Sequence, residues 1–342
     1  MIACDFLILN GEPMLRWIAS SFAMGTVLLA AATVIAADRV ERDVAGGDRD
    51  ITIHMIQKQP AKPRAGLPVL MLHAFGSPCG EAYDLAPGLS WMDDLSAAGF
   101  PTYAIDFRGF GQSSRPVADA PVDHAQDAVR DVISVIEMIR KETGATKVSL
   151  VGWSWGAVVA PMVAIARPDL VDRMVLLGAM HAFTLPMMTE PFASKDAPDK
   201  FAPARIPYQK LQADLVLAHW RMMLKGSSGL VDEPTIARVQ ALAERCGHTD
   251  EAATPKIVTR PMGPLADLFE IWRNHPIYDT SAVKTPTLVI RGDRDIFADQ
   301  GLAAKIPGAQ EKIVVDATHW APYERNRDQI LDAARRFFLT RE

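Results

Sequence analysis

A serine stands between two glycines in the segment Gly152-Trp153-Ser154-Trp155-Gly156. The apolar run VSLV precedes this segment and the apolar run AVVAPMVAIA follows it. Such a pattern is typical of a sharp strand-to-helix turn that exposes the serine hydroxyl. The flanking glycines permit the tight backbone, and the N-terminus of the following helix favours nearby negative charge. We therefore predict that Ser154 is a nucleophile.

A serine hydroxyl reacts well only beside a base, and the base needs a carboxylate to orient it. His319 follows the last apolar run and is the candidate base, and Asp295 follows the run TLVIR and is the candidate carboxylate. Asp293 is the alternative carboxylate, but we expect it to stabilise the turn instead. The chain order Ser154, Asp295, His319 is the order for a nucleophile on a strand-turn-helix element.

Two backbone N–H groups are expected to bind the oxyanion of a tetrahedral intermediate. One should come from Trp155, directly after the nucleophile. The other should come from Phe75, because the segment His73-Ala74-Phe75-Gly76 follows the apolar run VLML. We expect His73 to brace this loop by hydrogen bonds rather than to titrate during the reaction.

Strands and helices must alternate to bring these distant residues together. The pattern predicts a hairpin of strands at 40–44 and 51–58, further strands at 69–72, 102–105, 147–151, 173–177, 287–290 and 312–315, and helices at 91–98, 123–143, 157–166, 298–305 and 323–338. This order indicates an α/β fold with a mainly parallel sheet and helices on both faces. Residues 38–180 and 283–342 would form the core, and residues 181–282 would form a helical insertion without strands.

The motifs HAFG, DFRGFGQSS, GWSWG, GDRD and the late THW together make the sequence similar to the α/β-hydrolase superfamily, over roughly residues 50–342. The resemblance implies an eight-stranded type of sheet, a Ser-His-Asp hydrolase of the serine-esterase kind, and a helical lid over the pocket. It implies neither a metal nor an organic cofactor. Ala74 is a departure, because glycine usually stands before the oxyanion residue, and this makes Phe75 the weaker of the two predicted donors.

Three further residues are candidates for substrate binding. Trp153 and Trp320 flank the predicted catalytic residues, and His181 directly follows the strand after the nucleophile helix. Packing in the protein core is the alternative role for each of them. No metal-ligand spacing is visible among the histidines and cysteines.

The predicted reaction is hydrolysis of a carboxylic ester, with a small apolar ester as substrate. The alternatives are hydrolysis of an amide, a lactone or a peptide, and cofactor-free perhydrolase or haloperoxidase chemistry on the same three residues. A non-catalytic binding protein on a hydrolase scaffold is the alternative from another class. Haloalkane dehalogenation is disfavoured, because that chemistry needs a carboxylate where Ser154 stands.

The composition is that of an ordinary globular protein. The chain has 342 residues, of which 49% are hydrophobic and 23% are charged, and its net charge is -5. Nucleic-acid binders usually carry a basic excess, so we expect no nucleic-acid partner. Nothing in the sequence implies a stable protein partner.

Residues 17–37 are almost wholly apolar and follow Arg16, which is typical of a signal peptide. An uncleaved membrane anchor is the alternative for residues 1–37, so we expect a periplasmic or secreted protein or, failing that, a membrane-anchored one. Met14 is an alternative start. Export would let Cys79 and Cys246 pair, although the sequence favours two separately buried thiols.

Overall fold

An eight-stranded sheet forms the centre of the computed structural model, which describes residues 38–63 and 68–340. The predicted signal peptide or anchor, residues 1–37, lies outside the described residues. Within these described ranges, no helix has the length and apolar character that crossing a membrane requires.

The first half of the described chain begins with a hairpin and continues as alternating strands and helices. In chain order, its elements are β1 (Arg39–Ala45), β2 (Thr52–Lys58), β3 (Val69–Leu72), α1 (Trp91–Ala97), β4 (Thr102–Ile105), α2 (Ala125–Thr143), β5 (Val148–Trp153), α3 (Gly156–Ala166) and β6 (Val171–Leu177). Strands β1 and β2 pair antiparallel, as the hairpin pattern predicted.

An insertion separates β6 from the next strand of the central sheet. Its elements are α4 (Pro186–Thr189), β7 (Tyr208–Gln212), α5 (Ala218–Met223), α6 (Glu233–Cys246), β8 (Thr249–Asp250), β9 (Ile257–Pro261) and α7 (Gly263–Ile271). The expectation of an insertion without strands is wrong, because β7, β9 and β8 form a small antiparallel sheet. These strands are short, and β7 buries no residue fully, so they carry no long apolar run.

The chain then returns to the central sheet through β10 (Thr287–Gly292), α8 (Leu302–Lys305), β11 (Gln310–Val314) and α9 (Arg327–Leu339). The strand order is β1-β2-β4-β3-β5-β6-β10-β11, with parallel pairing from β4 to β11. This confirms the predicted mainly parallel sheet with helices. The last helix begins later than predicted, because Ala321–Tyr323 forms a separate turn in which the Tyr323 hydroxyl donates to Ala82 O at 2.9 Å.

Burial explains why the central strands were easy to predict. All residues of β3, β4 and β5 are buried, so each of these strands is almost continuously apolar. Because parallel strands end at the same edge of a sheet, the segments after β3, β5, β10 and β11 meet there. These segments carry Phe75, Ser154, Asp295 and His319, respectively.

A disulfide joins Cys79 to Cys246, with their Cα atoms 5.8 Å apart. The favoured expectation of two separate thiols is therefore wrong. Cys79 precedes a short turn of the core and Cys246 ends α6 in the insertion, so only the three-dimensional fold brings them together. The bond ties the insertion to the core.

We expect Cys246→Ser to lower the free energy of unfolding by about 2–5 kcal/mol, because the 167-residue separation of the two cysteines makes the unfolded chain much less constrained without the bond. Urea denaturation of wild type and variant measures this loss. Non-reducing peptide mapping should find the two cysteines linked in the wild type, and unlinked peptides with equal stability of both proteins would contradict the assignment.

Candidate active site

Ser154 occupies a strained turn between β5 and α3. Its φ is 57°, in the left-handed region that residues other than glycine rarely adopt. A Cβ on Gly152 would lie 2.4 Å from Gly156 O, and a Cβ on Gly156 would lie 2.2 Å from Leu72 O. Both positions therefore require glycine, and the turn packs directly against the end of β3.

His319 and Asp295 form a buried pair beside this turn. The His319 Nδ1 atom lies 3.0 Å and 2.9 Å from the two carboxylate oxygens of Asp295. The amides of Phe297 and Ala298 donate to Asp295 Oδ1 at 2.9 and 3.1 Å, which fixes the carboxylate. When Nδ1–H donates to the carboxylate, Nε2 is the ring nitrogen that can accept a proton.

Asp293 has a different position, as expected for a residue of the turn. Its Oδ1 accepts a hydrogen bond from the Ala317 amide at 3.3 Å. This bond joins the segment after β10 to the segment before His319. Asp295 is thus the carboxylate that binds the His319 imidazole, and Asp293 supports the loop before His319.

A cavity of about 340 Å³ opens beside Ser154 and His319. Most of its other lining side chains are apolar, and they come from both the core and the insertion: Phe75, Met180, Met188, Phe192, Leu211, Leu215, Val216, Ala218, Leu265, Leu268, Trp272, Phe297 and Trp320. The remaining polar side chains on its wall are Gln209, His219 and Arg260. The volume is typical of a site for a small organic molecule.

Of the two predicted oxyanion residues, Trp155 belongs to the Ser154 turn itself, and Phe75 follows β3, against which that turn packs. Phe75 lines the cavity, while the Trp155 side chain is buried and donates through Nε1 to Asp267 at 3.2 Å. Among the backbone hydrogen bonds of the described loops and turns, the amides of Phe75 and Trp155 donate none. Both amides thus remain available to an external acceptor.

His73 braces the loop that carries Phe75. Its Nε2 accepts a hydrogen bond from the Phe107 amide at 3.1 Å, and its Nδ1–H donates to Ala74 O at 2.9 Å. Burial lowers the pKa of His73 to about 3, so the imidazole is neutral at neutral pH. This neutral tautomer makes both hydrogen bonds at once.

The structure places only one of the three candidate substrate-binding residues on the cavity. Trp320 lines it, next to His319. Trp153 instead donates from Nε1 to His319 O at 3.0 Å from a buried position, so it supports the base. His181 donates from Nε2 to Tyr278 O at 3.0 Å and packs against the Tyr278 ring.

Two supporting residues were not found from the sequence. Gly178 follows β6 with a φ of 52°, and a Cβ there would lie 2.8 Å from both Asp295 Oδ2 and His319 Nδ1. A glycine directly after a predicted strand was the available signal. Glu324 is the other, and its position after a proline-containing turn gave no signal.

Glu324 connects the loop of the base to the insertion. Its Oε2 accepts from the Thr318 amide at 2.8 Å, its Oε1 accepts from Trp220 Nε1 at 2.9 Å, and the Thr318 hydroxyl also donates to it. The Trp220 ring stacks on Trp320 with 5.0 Å between ring centroids. Burial raises the pKa of Glu324 above its usual value, and the hydrogen bonds from these donors oppose the shift without cancelling it.

If the ester hydrolysis expected from the sequence takes place at this site, Gly178→Ala should lower kcat/KM for a p-nitrophenyl ester at least about 100-fold, because the added methyl group would displace the Asp295–His319 pair. Gly308→Ala is the matched control. Gly308 also has a positive φ, of 72°, but a Cβ there meets nothing within 4 Å. Equal activity of the two variants would show that the close approach at Gly178 is not needed.

A family model described as the alpha/beta hydrolase fold matches residues 68–326. Epoxide hydrolase 2 of Caenorhabditis elegans is 23% identical over 310 residues, covering 86% of this chain and 79% of that protein. A 2-hydroxy-6-oxononadienedioate/2-hydroxy-6-oxononatrienedioate hydrolase of Cupriavidus pinatubonensis is 26% identical over 245 residues, covering 68% of this chain and 74% of the relative.

Solved structures agree with the fold. The enol-lactonase of Burkholderia xenovorans LB400 superposes with a TM-score of 0.60 at 18% identity, covering 87% of this chain and all of that one (100%). At this identity the likeness concerns the fold alone. Together with the family match over most of the described chain, it shows that the protein belongs to the α/β-hydrolase fold family.

Proposed function

We propose that the protein is a serine hydrolase that cleaves a carboxylic ester through an acyl-enzyme intermediate. One observation carries the proposal. The Asp295–His319 pair and the strained turn of Ser154 meet at the same cavity. A nucleophile, a base and an orienting carboxylate in this arrangement perform acyl transfer.

In the acylation step, Ser154 Oγ attacks the ester carbon and His319 Nε2 takes the hydroxyl proton. Asp295 stabilises the imidazolium that forms. The negative charge moves to the former carbonyl oxygen, where the amides of Phe75 and Trp155 donate to it. The intermediate then collapses, and the leaving alcohol takes the proton from His319.

In the deacylation step, water replaces the alcohol. His319 Nε2 takes a proton from the water, whose oxygen attacks the acyl carbon of the Ser154 ester. The second tetrahedral intermediate uses the same two amides. Its collapse releases the carboxylic acid and returns the proton to Ser154, so the steps balance without a metal or an organic cofactor.

The identity of the nucleophile argues for acyl transfer over epoxide opening, although the Caenorhabditis elegans relative is named an epoxide hydrolase. If a serine attacked an epoxide carbon, the product would be an ether on Ser154, which water does not readily cleave. A carboxylate nucleophile would instead give an ester that His319 could hydrolyse. An activated serine therefore suits a substrate with an acyl carbon.

The cavity wall supports a substrate with an apolar body. Leu211, Leu265 and Leu268 contribute to it together with several aromatic rings.

We also propose that the protein is exported, and the Cys79–Cys246 disulfide supports this, because such bonds persist in oxidising compartments.

We expect a fluorophosphonate probe to label the wild type at Ser154, and Ser154→Ala to lower kcat for a p-nitrophenyl ester by at least about 1,000-fold. Mass spectrometry of the labelled peptide and steady-state kinetics measure these effects. Ser96→Ala is the matched control, because Ser96 is a buried serine outside the cavity.

The control variant should label and hydrolyse like the wild type. A folded wild type that neither labels nor hydrolyses any ester in a series of increasing acyl length would contradict the proposal. It would favour a binding protein on a hydrolase scaffold.

A further inference from the structure

Arg260 lies on the wall of the candidate active-site cavity, on β9 of the insertion. It faces Gln209 across the β7–β9 pair, and its Nε donates to Gln209 Oε1 at 2.9 Å. The guanidinium carbon lies 3.9 Å from the centre of the Phe75 ring, and Nη1 makes a long contact of 3.4 Å with Phe75 O. The cation thus stands beside a predicted oxyanion residue.

No carboxylate neutralises Arg260 within the part of the chain that the structure describes. The cavity wall contains neither an aspartate nor a glutamate. Burial lowers the pKa of Arg260 to about 10, and no acidic neighbour opposes this effect. At neutral pH the guanidinium therefore remains charged while facing a mostly apolar cavity.

Other arginines show what a compensated side chain looks like here. Arg108 is buried, and it makes ion pairs with Asp48 and Asp131. Arg260 is partly buried. A charge that has lost part of its hydration and has no counter-ion is stabilised when an anion binds beside it. At Arg260, Nη2 has no protein acceptor among the described residues, so this nitrogen can donate to a ligand.

Gln209 supplies a second donor. Because its Oε1 accepts from Arg260, its amide –NH₂ points away from that bond and is free for another acceptor. A single guanidinium with an adjacent amide suits a planar, singly charged carboxylate.

We infer that the natural substrate carries a free carboxylate in addition to the bond that Ser154 attacks, and that Arg260 with Gln209 binds it. The substrate class is then a monoester or lactone of a carboxylate-bearing acid, with an apolar body between the two groups. This inference rests on the proposed function, because it names the substrate of the same site. Arg260 acts as a specificity-determining residue.

The test compares mono-p-nitrophenyl esters of glutaric, adipic and suberic acids with the same esters whose free carboxyl group is methylated. We call the pair that the wild type hydrolyses with the highest kcat/KM the best pair. Within it, we expect kcat/KM for the ester with the free carboxylate to exceed kcat/KM for the methylated ester at least about 10-fold, mainly through a lower KM. Arg260→Met should abolish this preference, because kcat/KM for the charged esters should fall by a larger factor than kcat/KM for the methylated esters, and Arg260→Lys should retain part of the preference.

Arg115→Met is the matched control. Like Arg260, Arg115 stacks on an aromatic ring, with its guanidinium carbon 4.5 Å from the centre of the Tyr208 ring, but it does not line the cavity. This variant should keep the wild-type preference. An equal loss of activity on charged and methylated esters in Arg260→Met would overturn the inference, because it would mean that Arg260 only positions Phe75. Equal wild-type rates within every pair would overturn it too.

A binding measurement separates this inference from the proposed function. Calorimetry on Ser154→Ala compares the binding of monomethyl adipate, which carries one free carboxylate, with that of dimethyl adipate, which carries none. Tighter binding of the monomethyl ester that is lost when Arg260→Met is added would support the anion site even if the wild type hydrolysed no ester. Ester hydrolysis by the wild type with equal binding of the two compounds would support the hydrolase and reject the anion site.

Discussion

The close approach of helix α3 to strand β3 is the constraint on which the site depends. Gly156 touches the carbonyl of Leu72, and any side chain there would push the helix away from the sheet. The approach holds the Ser154 turn against the end of β3, which leads into the loop that carries Phe75. Among the backbone hydrogen bonds of the described loops and turns, the amides of Phe75 and Trp155 donate none. A similar contact at Gly178 seats the Asp295–His319 pair at the same sheet edge. The chemistry therefore depends on small residues as much as on reactive ones.

The parts that the sequence predicted are those in which local pattern and global fold agree. Strands β3 and β5 are buried on both faces and read as uninterrupted apolar runs, and the glycines around Ser154 mark the turn between β5 and α3. That Ser154, Asp295 and His319 come together then followed from the way parallel strands end at one edge of the sheet.

The parts that it missed depend on contacts between residues far apart in the chain. The direction of the Trp153 ring, which supports His319 from below the cavity, is set by packing and not by sequence neighbours. The Cys79–Cys246 bond requires the insertion to fold back onto the core. The small sheet of the insertion pairs short strands, of which β7 buries no residue and β9 buries only Val258 and Pro261, so it lacked the apolar signal on which strand prediction relies.

Glu324 gives the insertion a role beyond that of a cover. It accepts from Trp220 in the insertion and from Thr318 beside the base, so the two regions share one buried acceptor. Grafting a foreign insertion onto this core would leave Glu324 short of a donor unless an equivalent of Trp220 came with it. In this protein the insertion and the His319 loop are therefore coupled through one buried carboxylate, and an exchange of either part alone would disturb the other.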